Sequence, residues 1–184
     1  MRKAYKLCRI DKNGILHPMF VNTKDVFRIG EWIYAEDGPR NNKGKVISKL
    51  GPLAYRPGLH LSEAPFAPHI GIKAGGKIVY MHDDTVWVEV EIYDEIDYTM
   101  EARLRGTRNG KVISSIACLD RIPYNGFYYY NTNPNAYGNW LICHRMRITR
   151  VLTDDQVENI CWTLFHIHAM PHRPGYEFMM KKGA

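Results

Sequence analysis

The sequence predicts an α+β protein, with a strand-rich mixed or antiparallel sheet and two or so short helices. Three observations point there. From Asp84 to Tyr93 the chain reads DTVWVEVEIY, so Val86, Val88, Val90 and Ile92 alternate with Trp87, Glu89, Glu91 and Tyr93. A period of two marks a strand with one apolar face, and the Glu89/Glu91 face is expected to meet water or basic partners. Thr153-Asp154-Asp155-Gln156 forms a capping box, in which the Thr and Gln side chains each accept a backbone N–H of the first turn. It predicts a helix from about Asp154 to Phe165. Elsewhere strand-like segments follow one another across turn signals, which argues against a layered βαβ arrangement.

In chain order, Ala4–Ile10 (AYKLCRI) reads as a strand, and Asp11-Lys12-Asn13-Gly14 is a hairpin turn. Ile15–Val21 is the expected return strand. Val26–Tyr34 is strand-like around Gly30, Asp37–Lys45 is a polar loop, and Val46–Leu53 is ambiguous. Leu59–Ser62 alternates apolar and polar residues, a short strand that Pro65 and Pro68 bring to an end because proline has no N–H to pair. Lys73–Lys77 holds a Gly-Gly turn. Asp94–Arg105 reads as a helix capped by Asp94 or Asp97, and Gly106–Lys111 (GTRNGK) breaks it. Val112–Leu119, Tyr124–Tyr130 and Trp140–Leu152 are predicted strands, with a turn-rich loop at Asn131–Asn139. The tail from His166 carries Pro and Gly and is expected to be irregular.

Composition narrows the function classes. The 184 residues are 45% hydrophobic, enough for a core, and are read as one domain. A net charge of +6 permits a phosphate-bearing partner, nucleic acid included, without concentrating in a basic tail. Cys8, Cys118, Cys143 and Cys161 include no CxxC pair, so no zinc knuckle is suggested. Three of them sit in apolar segments, where cysteine acts as a small core residue. MRKAYKLCRI is too polar for a signal peptide, and no apolar run approaches the roughly 20 residues that span a bilayer. A cytoplasmic protein with no membrane partner is expected.

The stretch Tyr55–Gly71 (YRPGLHLSEAPFAPHIG) concentrates candidate chemistry. Arg56 offers a planar positive fork suited to phosphate. His60 and His69 are titratable groups at the two ends of a proline-stiffened loop. His60-Leu61-Ser62 matches half of the pair of H-x-[S/T] motifs used by two-histidine phosphoesterases, where imidazoles share acid and base duties; loop hydrogen bonding explains the same residues. Tyr129 and Trp140 lie in an aromatic run able to stack on a base, although strands favour aromatics in any case. Asn131 and Asn133 bring donors and acceptors to a loop that has no packing need for them. These are the candidate ligand contacts, with Arg56, His60 and Ser62 as the candidate catalytic set. His166, His168 and His172 could meet a metal only with a carboxylate partner that the sequence does not fix, and no metal site is predicted.

RPGLHLSEAPFAPHIG, VWVEVEI, DYTMEARLRGTRNGK and IPYNGFYYYNTNPNAYGNWLICHRMRITRVLTDDQV together resemble an uncharacterised domain of bacteriophage and mobile-element proteins, notably the large polyvalent ones. The likeness spans about residues 55–158, with strands and a loop before it (1–54) and an irregular tail after it (159–184). It implies an infected bacterial host and a role in host takeover or counter-defence. Polyvalent proteins often carry ADP-ribosyltransferase-like domains, split-sheet folds that hold NAD. On that resemblance Arg9 is the early-strand basic residue, His60 and Ser62 the hydroxyl-bearing strand, and NAD the implied cofactor. A nucleotide-binding protein with such transferase activity is the first expectation. The alternatives are a non-enzymatic protein that blocks a host protein or nucleic acid, and a histidine-dependent phosphoesterase.

Overall fold

Thr85–Ile92 (β5) is the strand that the valine alternation predicted, and the sheet is built outward from it. It pairs antiparallel along its whole length with Arg2–Ile10 (β1), from Arg2 opposite Ile92 to Arg9 opposite Thr85. The other strands are Leu16–His17 (β2), Trp32–Tyr34 (β3), Leu59–Ser62 (β4), Ile96–Asp97 (β6), Thr107–Arg108 (β7), Lys111–Val112 (β8), Gly126–Tyr130 (β9), Trp140–Cys143 (β10) and Arg145–Val151 (β11). The helices are Thr99–Gly106 (α1) and Asp154–Phe165 (α2). The computed structural model describes residues 1–71, 80–113, 116–130 and 139–173. Among these, nine strands form one mostly antiparallel sheet in the order β3-β11-β5-β1-β4-β10-β9-β6, with β2 added to β1; β7 and β8 form a separate hairpin. The α+β expectation therefore holds.

The sheet cannot be flat. Only His144 separates β10 from β11, yet three strands lie between them in the hydrogen-bonded order. In a flat sheet that gap would be about 19 Å at ~4.8 Å per strand, whereas one intervening residue reaches no more than about 7 Å. The sheet therefore curls and encloses one face. The enclosed core holds Ala4, Cys8, Leu61, Val88, Val90, Ile92, Phe127, Leu141, Met146 and Ile148. The outer face is covered in two places. Val157 and Cys161 of α2 pack with Tyr5, Leu7 and Trp87, and Ala102 of α1 packs with Tyr128, Tyr130 and Ile142.

Several segments differ from the prediction. The expected strand Val26–Tyr34 is interrupted because Gly30 takes φ +86°, leaving Trp32–Tyr34 paired with β11. The return strand after the first turn is only Leu16–His17. The start of the predicted Asp94–Arg105 helix is instead β6, paired parallel with β9. The helix begins at Thr99, whose N–H donates to Asp97 Oδ1 at 2.8 Å, while Asp94 takes the N-terminal ammonium at 3.1 Å. Among the described residues of the predicted Val112–Leu119 strand, only Val112 is in β8. Trp140–Leu152 bends at His144 into two strands. The second face of β5 meets basic partners as expected, with Glu91 partly exposed and paired with Arg147 at 2.6 Å, while Trp87 is fully buried. Glu89 is buried against basic partners, Lys3 at 3.1 Å and Arg150 at 3.0 Å. Burial works to raise the Glu89 carboxyl, but the bonds from Arg150 and Lys3 prevail and hold it below its ordinary value. The predicted Lys73–Lys77 turn lies outside the described residues.

Helix α2 has the predicted capping box, with Gln156 N–H donating to Thr153 Oγ1 at 3.3 Å and Thr153 N–H donating to Gln156 Oε1 at 3.0 Å. We expect Thr153→Ala to cost about 1 kcal/mol. Urea denaturation checks this, and an unchanged midpoint would mean that the cap adds nothing.

Candidate functional site

Strand β4 places His60 opposite Ile142 of β10, on the outer face of the sheet. The ring is held at both nitrogens. Nε2 lies 2.9 Å from the Arg56 carbonyl oxygen, which can only accept, so Nε2 carries the proton. Nδ1 then accepts from the Tyr130 hydroxyl at 3.2 Å. Burial drives the His60 pKa down to about 4, against the pull of the Arg56 carbonyl and with help from the Lys6 and Arg56 charges. The Arg56 guanidinium lies 5.5 Å from the centroid of the Tyr130 ring. Burial pushes the Tyr130 phenol up to about 12. Two of the predicted catalytic residues, Arg56 and His60, are thus brought together, around a tyrosine that was read only as part of the aromatic run.

The other candidates are distributed. Ser62 is buried, and its Oγ accepts from Ala64 N–H at 3.4 Å. Trp140 pairs with Ser62 and Tyr130, and the His69 ring meets it edge-on at 5.0 Å. Burial lowers the His69 pKa. Tyr129 alternates to the other face and accepts from Arg2 Nη1 at 2.6 Å. Arg9 is near the far end of β1, where its Nη2 donates to the Thr23 carbonyl at 2.8 Å. Asn131 and Asn133 lie outside the described residues. Their neighbour Asn139 donates N–H and Nδ2 to Glu63 Oε2, at 2.8 and 3.0 Å. Histidines of the tail diverge: His168 pairs with Glu158 at 2.5 Å and stacks on Trp162, whereas His172 packs on Phe66 and Tyr80. Among the described residues no three His, Cys, Asp or Glu side chains gather to hold a metal.

A cleft of about 330 Å³ opens beside this cluster, lined by Tyr55, Arg105, Arg108, Ile116, Asp120 and the Cys118-Leu119 pair. Close backbone packing builds it. Gly106 ends α1 against Ala117, where a Cβ would stand 2.5 Å from the Ala117 Cα, so glycine is required. The β7–β8 hairpin turns through Asn109 and Gly110, both at positive φ, the dipeptide suited to a two-residue turn. It presents Arg108, whose Nη1 donates to the Arg105 and Thr107 carbonyls at 2.9 Å each. Arg105 pairs with Asp120 at 2.6 Å. Across the cleft, the Tyr55 hydroxyl donates to Asp37 Oδ1 at 2.8 Å, and Arg40 covers the ring at 4.5 Å. The wall behind, Cys118 and Leu119, packs on Tyr128 and Tyr130.

Arg105, Arg108 and Asp120 escaped the sequence reading. The available signal is the charged turn GTRNGK, which combines a helix breaker with two cations. A second opening, of about 370 Å³, is lined in part by Arg2, Lys3, Glu63, Tyr129 and Leu164. There Arg2 bonds to Tyr129, Lys3 to Glu89 and Glu63 to Asn139, as Arg105 and Tyr55 of the first cleft bond to Asp120 and Asp37.

No known protein family, curated protein or solved structure matches the chain. Among the described residues no helix is long and apolar enough to cross a membrane.

Proposed function

We propose that the protein binds a nucleotide-like ligand in the cleft between Tyr55 and the Arg105–Arg108 segment. The observation that carries this reading is the pairing, in one cleft of about 330 Å³, of two arginines and a carboxylate with a tyrosine ring. The volume is in the range of small-molecule sites. Guanidinium forks suit phosphate oxygens, an aromatic ring suits the flat face of a base, and Asp120 can accept from a ribose hydroxyl or a base amino group.

Binding, rather than transfer, is the reading we adopt. The resemblance to ADP-ribosyltransferase-like domains makes NAD a ligand to test. The carboxylates that such chemistry would call on, Glu89 and Glu91, are tied to Arg150 and Arg147, and His60 is part-buried, bonded at both ring nitrogens and lowered in pKa to about 4.

Isothermal titration with AMP and NAD tests the proposal. Arg108→Ala removes an exposed side chain and should weaken binding about tenfold or more, the usual effect of losing a charged hydrogen bond, without changing the melting temperature. Absence of binding to the native protein at millimolar ligand would overturn the reading. Mass spectrometry of NAD incubated with the protein and a lysate supplies the second arm, in which an ADP-ribosylated product would replace binding by transfer.

A further inference from the structure

We propose that the nucleotide in the cleft belongs to a single-stranded nucleic acid, whose chain runs out along a track of rings and arginines. This rests on the cleft reading above and names its ligand class. The track is continuous by contacts. From Asp120 in the cleft the chain passes to Arg121, whose guanidinium covers the Tyr98 ring at 5.4 Å. The Tyr98 hydroxyl donates to the Tyr124 carbonyl at 3.1 Å. The Tyr124 ring meets His144 at 4.7 Å, and His144 meets Tyr34 at 5.7 Å.

The two outer rings are open to solvent: Tyr124 is 61% exposed and Tyr34 51%. They are mounted on fixed backbone. His144 N–H donates to the Gly126 carbonyl at 3.1 Å, and its own carbonyl accepts from Ala35 N–H at 2.7 Å. Its Nδ1 accepts from Asn125 N–H at 3.2 Å.

Charge favours an anion at the cleft end of the path, where Arg105 and Arg121 pair with Asp120 and Glu101 and Arg103, Arg108 and Lys111 make the surplus. Residues 99–121 carry Arg103, Arg105, Arg108, Lys111 and Arg121 against Glu101 and Asp120, a surplus of three and so half of the net +6. Accessible rings together with cations are what a single strand needs, since bases stack on the rings and phosphates follow the cations. A duplex keeps its base faces inside, a free mononucleotide fills only the cleft, and an acidic protein has no use for two open rings.

Fluorescence anisotropy with labelled oligo(dT) and oligo(rU) of about twelve nucleotides, a length that spans a typical single-strand site, tests the proposal. TMP and UMP serve as competitors. We expect the oligonucleotide to bind at least about tenfold more tightly than the mononucleotide and to weaken with added salt. The double variant Tyr34→Ala/Tyr124→Ala should lose about tenfold or more for the strand, with mononucleotide affinity and melting temperature unchanged. Arg108→Ala should weaken both ligands. The proposal is overturned if the strand binds no better than the mononucleotide, if the double variant binds it normally, if Arg108→Ala leaves it unaffected, or if a duplex or poly-glutamate competes equally well. Provided the mononucleotide still binds, those results leave the cleft reading standing; if neither ligand binds, both readings fall.

Discussion

Val90→Asp is expected to destabilise the protein by at least about 4 kcal/mol, the upper range for a single substitution, and so to unfold much of it near 37 °C. Val90 is fully buried in the enclosed core, with Ala4 and Ile148 as its cross-strand partners. A carboxylate there finds no donor and must either stay charged in an apolar setting or take up a proton, and both are costly. Val88→Asp provides the internal comparison. Val88 is equally buried but faces Lys6 across the strands. Burial lowers the Lys6 pKa, and a carboxylate opposite would recover part of that cost by pairing with the ammonium. Val88→Asp should therefore be milder by about 1 kcal/mol or more, since a buried charge with a partner costs less than one without. Urea denaturation of both variants decides it. Equal losses would mean that Lys6 cannot reach position 88, and a stable Val90→Asp variant would contradict the enclosed core.

The second large effect is a pH dependence centred on His60. Its pKa falls from an ordinary 6.5 to about 4 in the fold. In that window the unfolded chain binds a proton that the native protein refuses, so stability is full above about pH 6.5 and is lost as the pH falls toward 4. The loss from this one group is about 3 kcal/mol, at 1.36 kcal/mol per pH unit. Burial also lowers His69 and His144, so the native curve contains their shares, and the His60 share is read by difference. His60→Gln keeps a donor and an acceptor for the Arg56 carbonyl and the Tyr130 hydroxyl but cannot titrate. Its urea stability should fall less than that of the native protein between pH 6.5 and 4.5. Parallel curves for the two proteins would show that His60 is not held neutral by burial.

The predicted elements that hold are those whose cause is local. The alternation of β5, the four-residue alternation of β4 and the Thr153–Gln156 box each depend on residues within a turn or two of one another, and each appears in the structure at the positions read from the chain. Segments that differ were decided by partners far away in sequence. Ile96 and Asp97 look like the start of a helix until β9, some thirty residues on, pairs with them. Val112 has strand propensity on its C-terminal side but pairs in a hairpin with Thr107 on its N-terminal side.

The candidate site divides in the same way. Arg56, His60 and the flanking prolines were legible because unusual chemistry is crowded into one short span. Tyr55 and Arg108 could not be joined by reading along the chain, because they meet only as walls of one cleft built from segments distant in sequence.

Alternation and capping are properties of neighbouring residues, so the apolar faces and the capped helix follow from the order of the chain. The bend at His144 depends instead on partners remote in sequence, because its backbone pairs with Gly126 on one side and Ala35 on the other. The same holds for the lowered pKa of the part-buried His60. Beside burial, the ring feels the Lys6 and Arg56 charges and bonds to Tyr130, and Tyr130 and Lys6 are separated from it by 70 and 54 positions in the chain.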